Sequence, residues 1–378
     1  MKIKTNQREY VICTRCIMDT SAKNICFDNN GVCNFCTEFI SRSSHVIYED
    51  PEKKKRRLEP LLKEINYKGL NNRYDCVVGV SGGVDSSWAL VKAVELGLKP
   101  LAVHMDNGWN SELAQNNIAN LVRKLDVDLH THVIDWNEYK NLMQAFFDAG
   151  VIDVELLYDN AMLAVNYRLA SKFNIKYILS GVNEATEGMS MPEEWNWFKF
   201  DKINIKAIGK KFGNINLKTF PAFGISDYLY YRYVKKISWL PFLDYFNFNK
   251  AESLKTLESE YGYKPYPYKH YESIFTRFYQ GYLLPLKFNV DKRRIHLSTL
   301  IMSKQLSRKE ALMTMQSSPY PSNKAQDEDL KYFLKKMNWS EINLRNYLEG
   351  ENVMHSSYSS GIHFWHKLIK INNMLRHN

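Results

Sequence analysis

The sequence predicts an α/β protein: a parallel sheet with helices on both faces, preceded by a small metal-binding module and followed by a helical C-terminal part. Three observations predict it. A Val-rich apolar run, Tyr74–Val80, breaks at Ser81-Gly82-Gly83 and gives way to helix-spaced apolar residues from Ser86 onward. Strand-like and helix-like stretches then alternate as far as Gly181, the rhythm of a parallel sheet. Finally, five of the six cysteines fall in the first 40 residues, four of them as two C-x-x-C pairs.

Taken in order, Cys13-x-x-Cys16 and Cys33-x-x-Cys36 flank a segment with the turn signal Asn29-Asn30-Gly31. This spacing is that of a zinc site. Four sulfurs close a tetrahedron and leave no position for water, so a structural Zn²⁺ is expected on Cys13, Cys16, Cys33 and Cys36, with Cys26 a bystander. Residues 1–40 have too little core to fold unaided, and the metal would stabilise them. Cys33→Ser is expected to lose the metal and destabilise this module without altering the chemistry of the site. A zinc ribbon that grips nucleic acid or a partner protein is the alternative. Residues 41–70 read as a basic linker and helix.

Residues 71–190 carry the α/β pattern. After the helix that follows the glycines come a strand at Lys99–Met105, a helix at Ser111–Leu125 capped by Ser111, a strand at Leu129–Ile134 and a helix at Asn137–Asp148. A helix at Tyr158–Phe173 and a short strand at Lys176–Ser180 complete it. Residues 191–378 are an aromatic-rich and helical substrate or partner region. Its stretch Phe223–Phe248 suits a buried arm, an interfacial helix or a partner surface, and Ser307–Met315, Glu328–Met337 and Ile362–Leu375 have amphipathic spacing.

Composition narrows the class. Of 378 residues 45% are hydrophobic and 24% charged, the usage of a globular protein. The net charge of +10 suits an anionic partner, although much of it is local, as in Lys53-Lys54-Lys55-Arg56-Arg57. The opening MKIKTNQREY has no apolar core of a secretion signal and no run of 18 apolar residues occurs, so cytoplasmic residence is expected. In that compartment thiols bind metal more often than they pair.

Ligands of parallel sheets bind beyond the strand C-termini. That rule selects three walls. Ser81, Gly82, Gly83, Asp85, Ser86 and Ser87 form a glycine turn at a helix N-terminus, where backbone N–H groups, hydroxyls and the helix dipole converge on phosphate. Asp85 is a candidate ligand for Mg²⁺. Asp106, in Asp106-Asn107-Gly108-Trp109, would meet a base or ribose. In Gly181–Glu187 the carboxylates of Glu184 and Glu187 stand three residues apart, facing one way on a helix; they suit Mg²⁺, or simply complement the helix dipole. His104 ends a strand beside this site and reads as structural, while His130 and His132 read as surface or packing residues.

The string SGGVDS resembles the pyrophosphate loop of the N-type ATP pyrophosphatases, which cleave ATP between the α and β phosphates. Over most of its length the chain resembles the N-acetyl sugar amidotransferases of bacterial surface polysaccharides and flagellin sugars, including pseudaminic acid and O-antigen acetamidino-sugar enzymes. The likeness runs through CTRCIMDTS, FDNNGVCNFC, VSGGVDSS, VDLHTHVIDW, LKTFP, KHYESIFTRFYQGYLLP and DKRRIHLS. That family usually has Lys where Val84 stands. The resemblance implies adenylation of an acetamido oxygen by ATP and displacement of AMP by ammonia, giving an acetamidino group. It also implies a separate glutaminase subunit and a synthase-barrel partner resembling those that make imidazole glycerol phosphate. No cysteine follows Cys76, position 2 is Lys2 and no G-x-C-x-G elbow occurs, so neither sulfur transfer nor glutamine hydrolysis is expected of this chain alone. The acidic N-acetylated sugar or nucleotide sugar would be held by Arg277, Lys292 and Arg293, with Arg277 also beside the reacting group. The alternatives are a tRNA-modifying adenylating enzyme and a zinc-dependent interaction protein on a relic nucleotide fold; nucleic acid is the less expected partner.

Overall fold

The computed structural model describes residues 9–266 and 271–377. Five parallel strands, β1 (Cys76–Gly79), β2 (Pro100–Asp106), β3 (Leu129–Val133), β4 (Tyr177–Ser180) and β5 (Ser238–Pro241), pair in the order β3-β2-β1-β4-β5. Strands β1 to β4 lie where the sequence predicts them. The fifth does not: the aromatic-rich stretch returns to the sheet as β5, with Tyr177 paired to Ser238 and Leu179 to Leu240. The sheet therefore takes its last strand from beyond residue 190.

Alternation along the strands sorts side chains into two cores. Val77, Val103, Met105 and Ile178 face one, packed by α5 (Trp136–Asp148) and α6 (Leu156–Lys172). Cys76, Val78, Ala102 and Leu179 face the other, under α3 (Val84–Glu95), α4 (Glu112–Leu125) and the helix Lys250–Tyr261. Cys76 is fully buried, and that burial pushes its thiol well above the ordinary value. Ser111 caps α4 as predicted, accepting from the Ala114 N–H at 3.2 Å.

In the first region Cys33 precedes α1 (Asn34–Arg42), and the basic helix is α2 (Pro51–Gly69). Beyond β4 run α7 (Lys202–Gly213), β5 and α8 (Lys250–Tyr261), then an unbroken helical run over 274–288, α9 (Arg293–Met302) and α10 (Arg308–Gln316). Helices α11 (Asn323–Met337), α12 (Glu341–Glu349) and α13 (Ile362–His377) follow. The aromatic stretch is anchored in the core by Phe223, Phe242 and Leu243, while Tyr230, Tyr233 and Val234 are exposed. Among the described residues no helix is long and apolar enough to cross a membrane.

Residues 9–42 are not a free-standing module. Arg308 of α10 donates to the carbonyls of Cys16 and Cys13 at 2.9 and 2.8 Å. Arg294 of α9 reaches the Ile17 carbonyl at 2.8 Å and Asp19 at 3.1 Å, and the Ile17 N–H donates to Ser298 Oγ. The cysteine module is thus clamped to the helical C-terminal part.

Candidate active site and metal centre

The four sulfurs of Cys13, Cys16, Cys33 and Cys36 lie within 4.8 Å of one another and are fully buried. Cys13 and Cys36 stand 3.9 Å apart, Cys16 and Cys33 3.7 Å. A tetrahedron with Zn–S bonds of about 2.3 Å has edges of about 3.8 Å, so these separations fit one shared ion. Backbone N–H groups of Arg15, Met18 and Cys33 point at the sulfurs of Cys13, Cys16 and Cys13, as thiolates require. Cys26 is exposed and outside the cluster.

A cavity of about 430 Å³ opens at the C-terminal ends of β1, β2 and β4, beside Trp239 of β5. Its floor is the glycine turn. Gly82 has φ +85°, and a Cβ there would stand 3.0 Å from the Ala114 carbonyl, so the residue type is forced. The hydroxyls of Tyr263 and Tyr266 both donate to the Gly82 carbonyl, at 2.9 and 3.1 Å. Ser86 Oγ donates to the Gly83 carbonyl and lies 3.1 Å from Ser81 Oγ, while Ser81 and Gly83 N–H groups point at these hydroxyls. Ser81, Gly83, Asp85 and Ser86 line the cavity; Gly82 stands behind the turn and Ser87 is buried beneath it.

Asp85 stands out. One carboxylate oxygen accepts from Thr186 Oγ1 at 2.9 Å, while the other is buried with no hydrogen-bond partner. Such an oxygen is the fit expected of a ligand to a hard divalent cation. Gly181 lies against the same turn of α3: a Cβ on it would meet the Ser86 nitrogen at 2.6 Å and the Asp85 carbonyl carbon at 2.7 Å. Gly181→Ala should therefore push β4 and α3 apart and lower the melting temperature by several degrees, since overpacking costs about 1–3 kcal/mol. Thermal unfolding of the variant beside wild type checks this.

The two carboxylates of the third wall separate. Glu184–Glu187 is one helical turn capped by Asn183, which accepts from the Thr186 N–H. Glu187 lines the cavity. Glu184 turns away and accepts from Ser43 Oγ at 2.5 Å, and its backbone N–H donates to Asp244. Arg42 and Ser43 also reach the Gly188 carbonyl. The end of α1 thus touches the turn whose Thr186 holds Asp85.

In the second wall Met105 lines the cavity, whereas Asp106 closes its own turn by accepting from the Gly108 N–H at 2.7 Å and from Asn110. His104 is structural as read: Nδ1 donates to the Val80 carbonyl and Nε2 accepts from Asn110, a neutral ring whose pKa burial lowers.

The three basic residues expected to bind substrate lie off the cavity wall, each engaged elsewhere. Arg277 forks onto Asp329 and stacks on Tyr271, Lys292 pairs with Glu155 at 2.9 Å, and Arg293 holds Asp291 and the Ser317 carbonyl. Lys269 and His270 lie outside the described residues. The cavity instead has Lys250, Trp239, Asn166, Tyr158, Tyr266 and Glu272 on its walls. Asn166 Oδ1 is buried without a partner, because its amide N–H₂ donates to the Met162 carbonyl. Burial, then the carboxylates of Asp159, Glu272 and Asp106, push the Tyr158 hydroxyl above its ordinary pKa, so it faces the cavity protonated. Glu272 is set by backbone pairing of 109–111 with 272–274. No periodicity marks these residues; tertiary placement brings them together.

The comparisons add the following. Residues 272–372 match the family described as LPS biosynthesis protein WbpG-like, C-terminal domain. No curated protein matches the chain. Solved structures that are similar over part of it include the following two. One is an NMN synthetase from Francisella tularensis, 16% identical, TM-score 0.30, covering 59% of this chain and 99% of that chain. The other is an NH3-dependent NAD synthetase from Campylobacter jejuni subsp. jejuni NCTC 11168, 16% identical, TM-score 0.29, covering 69% and 96%. Likeness that slight transfers no chemistry.

Proposed function

We propose that the chain, whose residues from the cavity residue Glu272 to residue 372 match the family described as LPS biosynthesis protein WbpG-like, C-terminal domain, is an ATP-dependent amidotransferase of surface-sugar biosynthesis. ATP is cleaved to AMP and pyrophosphate, and an acetamido group becomes an acetamidino group. The observation that carries the reading is the Ser81–Ser86 turn opening on a cavity with one uncommitted oxygen of Asp85. Asp85 and Glu187 would hold Mg²⁺, which supplies charge neutralisation on the phosphates. Zn²⁺ on the four cysteines has no open position and serves structure alone.

The chemistry needs activation because an amide carbonyl is a poor electrophile. Its oxygen attacks the α-phosphorus, the bond to the bridging oxygen breaks and pyrophosphate leaves. Ammonia adds to the imidate carbon, AMP departs with the former carbonyl oxygen, and a protonated amidine remains. The turn's N–H groups and hydroxyls bind the departing pyrophosphate, and the protonated Tyr158 is placed to donate to an oxygen of the nucleotide or sugar.

Ammonia would come from a glutaminase subunit, with a synthase-barrel partner delivering it. Burial of Cys76, which pushes its thiol above the ordinary value, supports the reading that this chain does not open glutamine itself. The isolated chain should therefore form amidine from an N-acetylated acidic sugar with ATP and ammonium salt but hardly at all with glutamine. The rate should climb as rising pH frees ammonia. Incorporation of ¹⁵N from ammonium, read by NMR, tests this; brisk turnover with glutamine alone would refute the divided enzyme.

A further inference from the structure

Among the described residues, those lining the cavity include three carboxylates, Asp85, Glu187 and Glu272, and a single cation, Lys250. A nucleoside triphosphate brings several further negative charges into that space. The glycine turn offers backbone N–H groups and hydroxyls but no positive side chain, and Arg277, Lys292 and Arg293 are committed to Asp329, Glu155 and Asp291. Among the described residues, Lys250 is thus the cation that the cavity wall supplies.

Its position is built. Lys250 opens α8 after the cap Asn249, whose side chain accepts from the Ala251 and Glu252 N–H groups. The Lys250 N–H donates to Gln305 Oε1 at 3.0 Å, and Gln305 Nε2 donates to the Ala185 carbonyl at 3.3 Å. The residue is therefore tied through Gln305 to the turn that carries Glu187. One helical turn on, Leu254 lines the same cavity, and past the end of α8 the hydroxyls of Tyr263 and Tyr266 hold Gly82. The segment spans the glycine turn with Lys250 at one end. A cation in the first turn of a helix opposes the helix dipole, so this placement is unfavourable until an anion faces it.

We propose that Lys250 neutralises the pyrophosphate portion of the nucleotide. It binds the β and γ phosphates and stabilises the charge that gathers on the bridging oxygen when the bond to the α-phosphorus breaks and its electron pair stays with pyrophosphate. This rests on the ATP reading above. An ammonium group acts there as a compact point charge, a role guanidinium partly fills.

The test uses the full chain and calorimetric titration of Mg·ATP, Mg·pyrophosphate and AMP against wild type, Lys250→Met, Lys250→Gln and Lys250→Arg, with thermal melting as the fold control. In Lys250→Met and Lys250→Gln the affinity for Mg·ATP and Mg·pyrophosphate should fall about thirtyfold, the size of one charged hydrogen bond. AMP binding should stay within about twofold, and Lys250→Arg should recover most of the loss. Unchanged pyrophosphate binding in either neutral variant, or an equal loss of AMP, would overturn the assignment while leaving the ATP reading intact. Failure of the wild type to bind Mg·ATP would overturn both.

Discussion

Asp85→Asn should cut AMP and pyrophosphate release by about a hundred- to a thousandfold, the scale of losing one charged group that acts on the transition state, while leaving the melting temperature at or above that of wild type. The two effects part because of how the carboxylate is held. Thr186 satisfies one oxygen and nothing satisfies the other, which is buried. Such an oxygen burdens the folded state until a cation meets it, so neutralising it relieves the fold and removes the ligand together. Parallel measurement of product release and thermal unfolding checks this. A variant that loses both would make Asp85 a structural residue, and ADP and phosphate as wild-type products would mean the turn grips a different bond.

Cys33→Ser should leave the protein without zinc, unfold residues 9–42 and, on the proposed function, lower ATP turnover by more than tenfold. Structural zinc contributes about 10–16 kcal/mol in small modules, comparable with the whole stability of a domain. Loss of activity follows from contact. Cys33 caps α1, and the far end of α1 meets Glu184 and Gly188 through Ser43 and Arg42. Thr186 lies between those two residues, and it is Thr186 that holds Asp85. Metal content by atomic emission and turnover by pyrophosphate release give the two readouts. Zinc-free protein with full turnover would show that the contact is passive.

The parts legible in the sequence are those whose reasons are local. The strand, turn and helix around Ser81–Ser87 follow from a Val-rich run, glycines and helical spacing within fifteen residues, and the cysteine spacing alone defines the metal cluster. Strand β5 was hidden because it is four residues long, ends in Pro241 and sits at the sheet edge inside an aromatic run, with no alternation to announce it. Arg277, Lys292 and Arg293 stand off the cavity wall, paired with carboxylates, for a related reason. Arg277 lies in a string rich in functional residue types, but its partner Asp329 stands 52 positions away and claims the guanidinium. Lys250 shows the converse, an ordinary lysine after an asparagine cap, singled out only by the cavity it enters.

The paired tyrosines on Gly82 bear on how the turn meets its ligand. Both lone pairs of one carbonyl are occupied, so the peptide joining Gly82 to Gly83 has a fixed sense, oxygen outward and N–H toward the turn. Rotation of that peptide, the easy motion of a glycine-rich segment, would strand two phenols with no acceptor. The ordering entropy of the turn is therefore lost on folding and is not charged to binding. Filled and empty turns should differ by hydroxyl rotations alone, and Tyr263→Phe with Tyr266→Phe should turn a preformed seat into one that each nucleotide has to assemble.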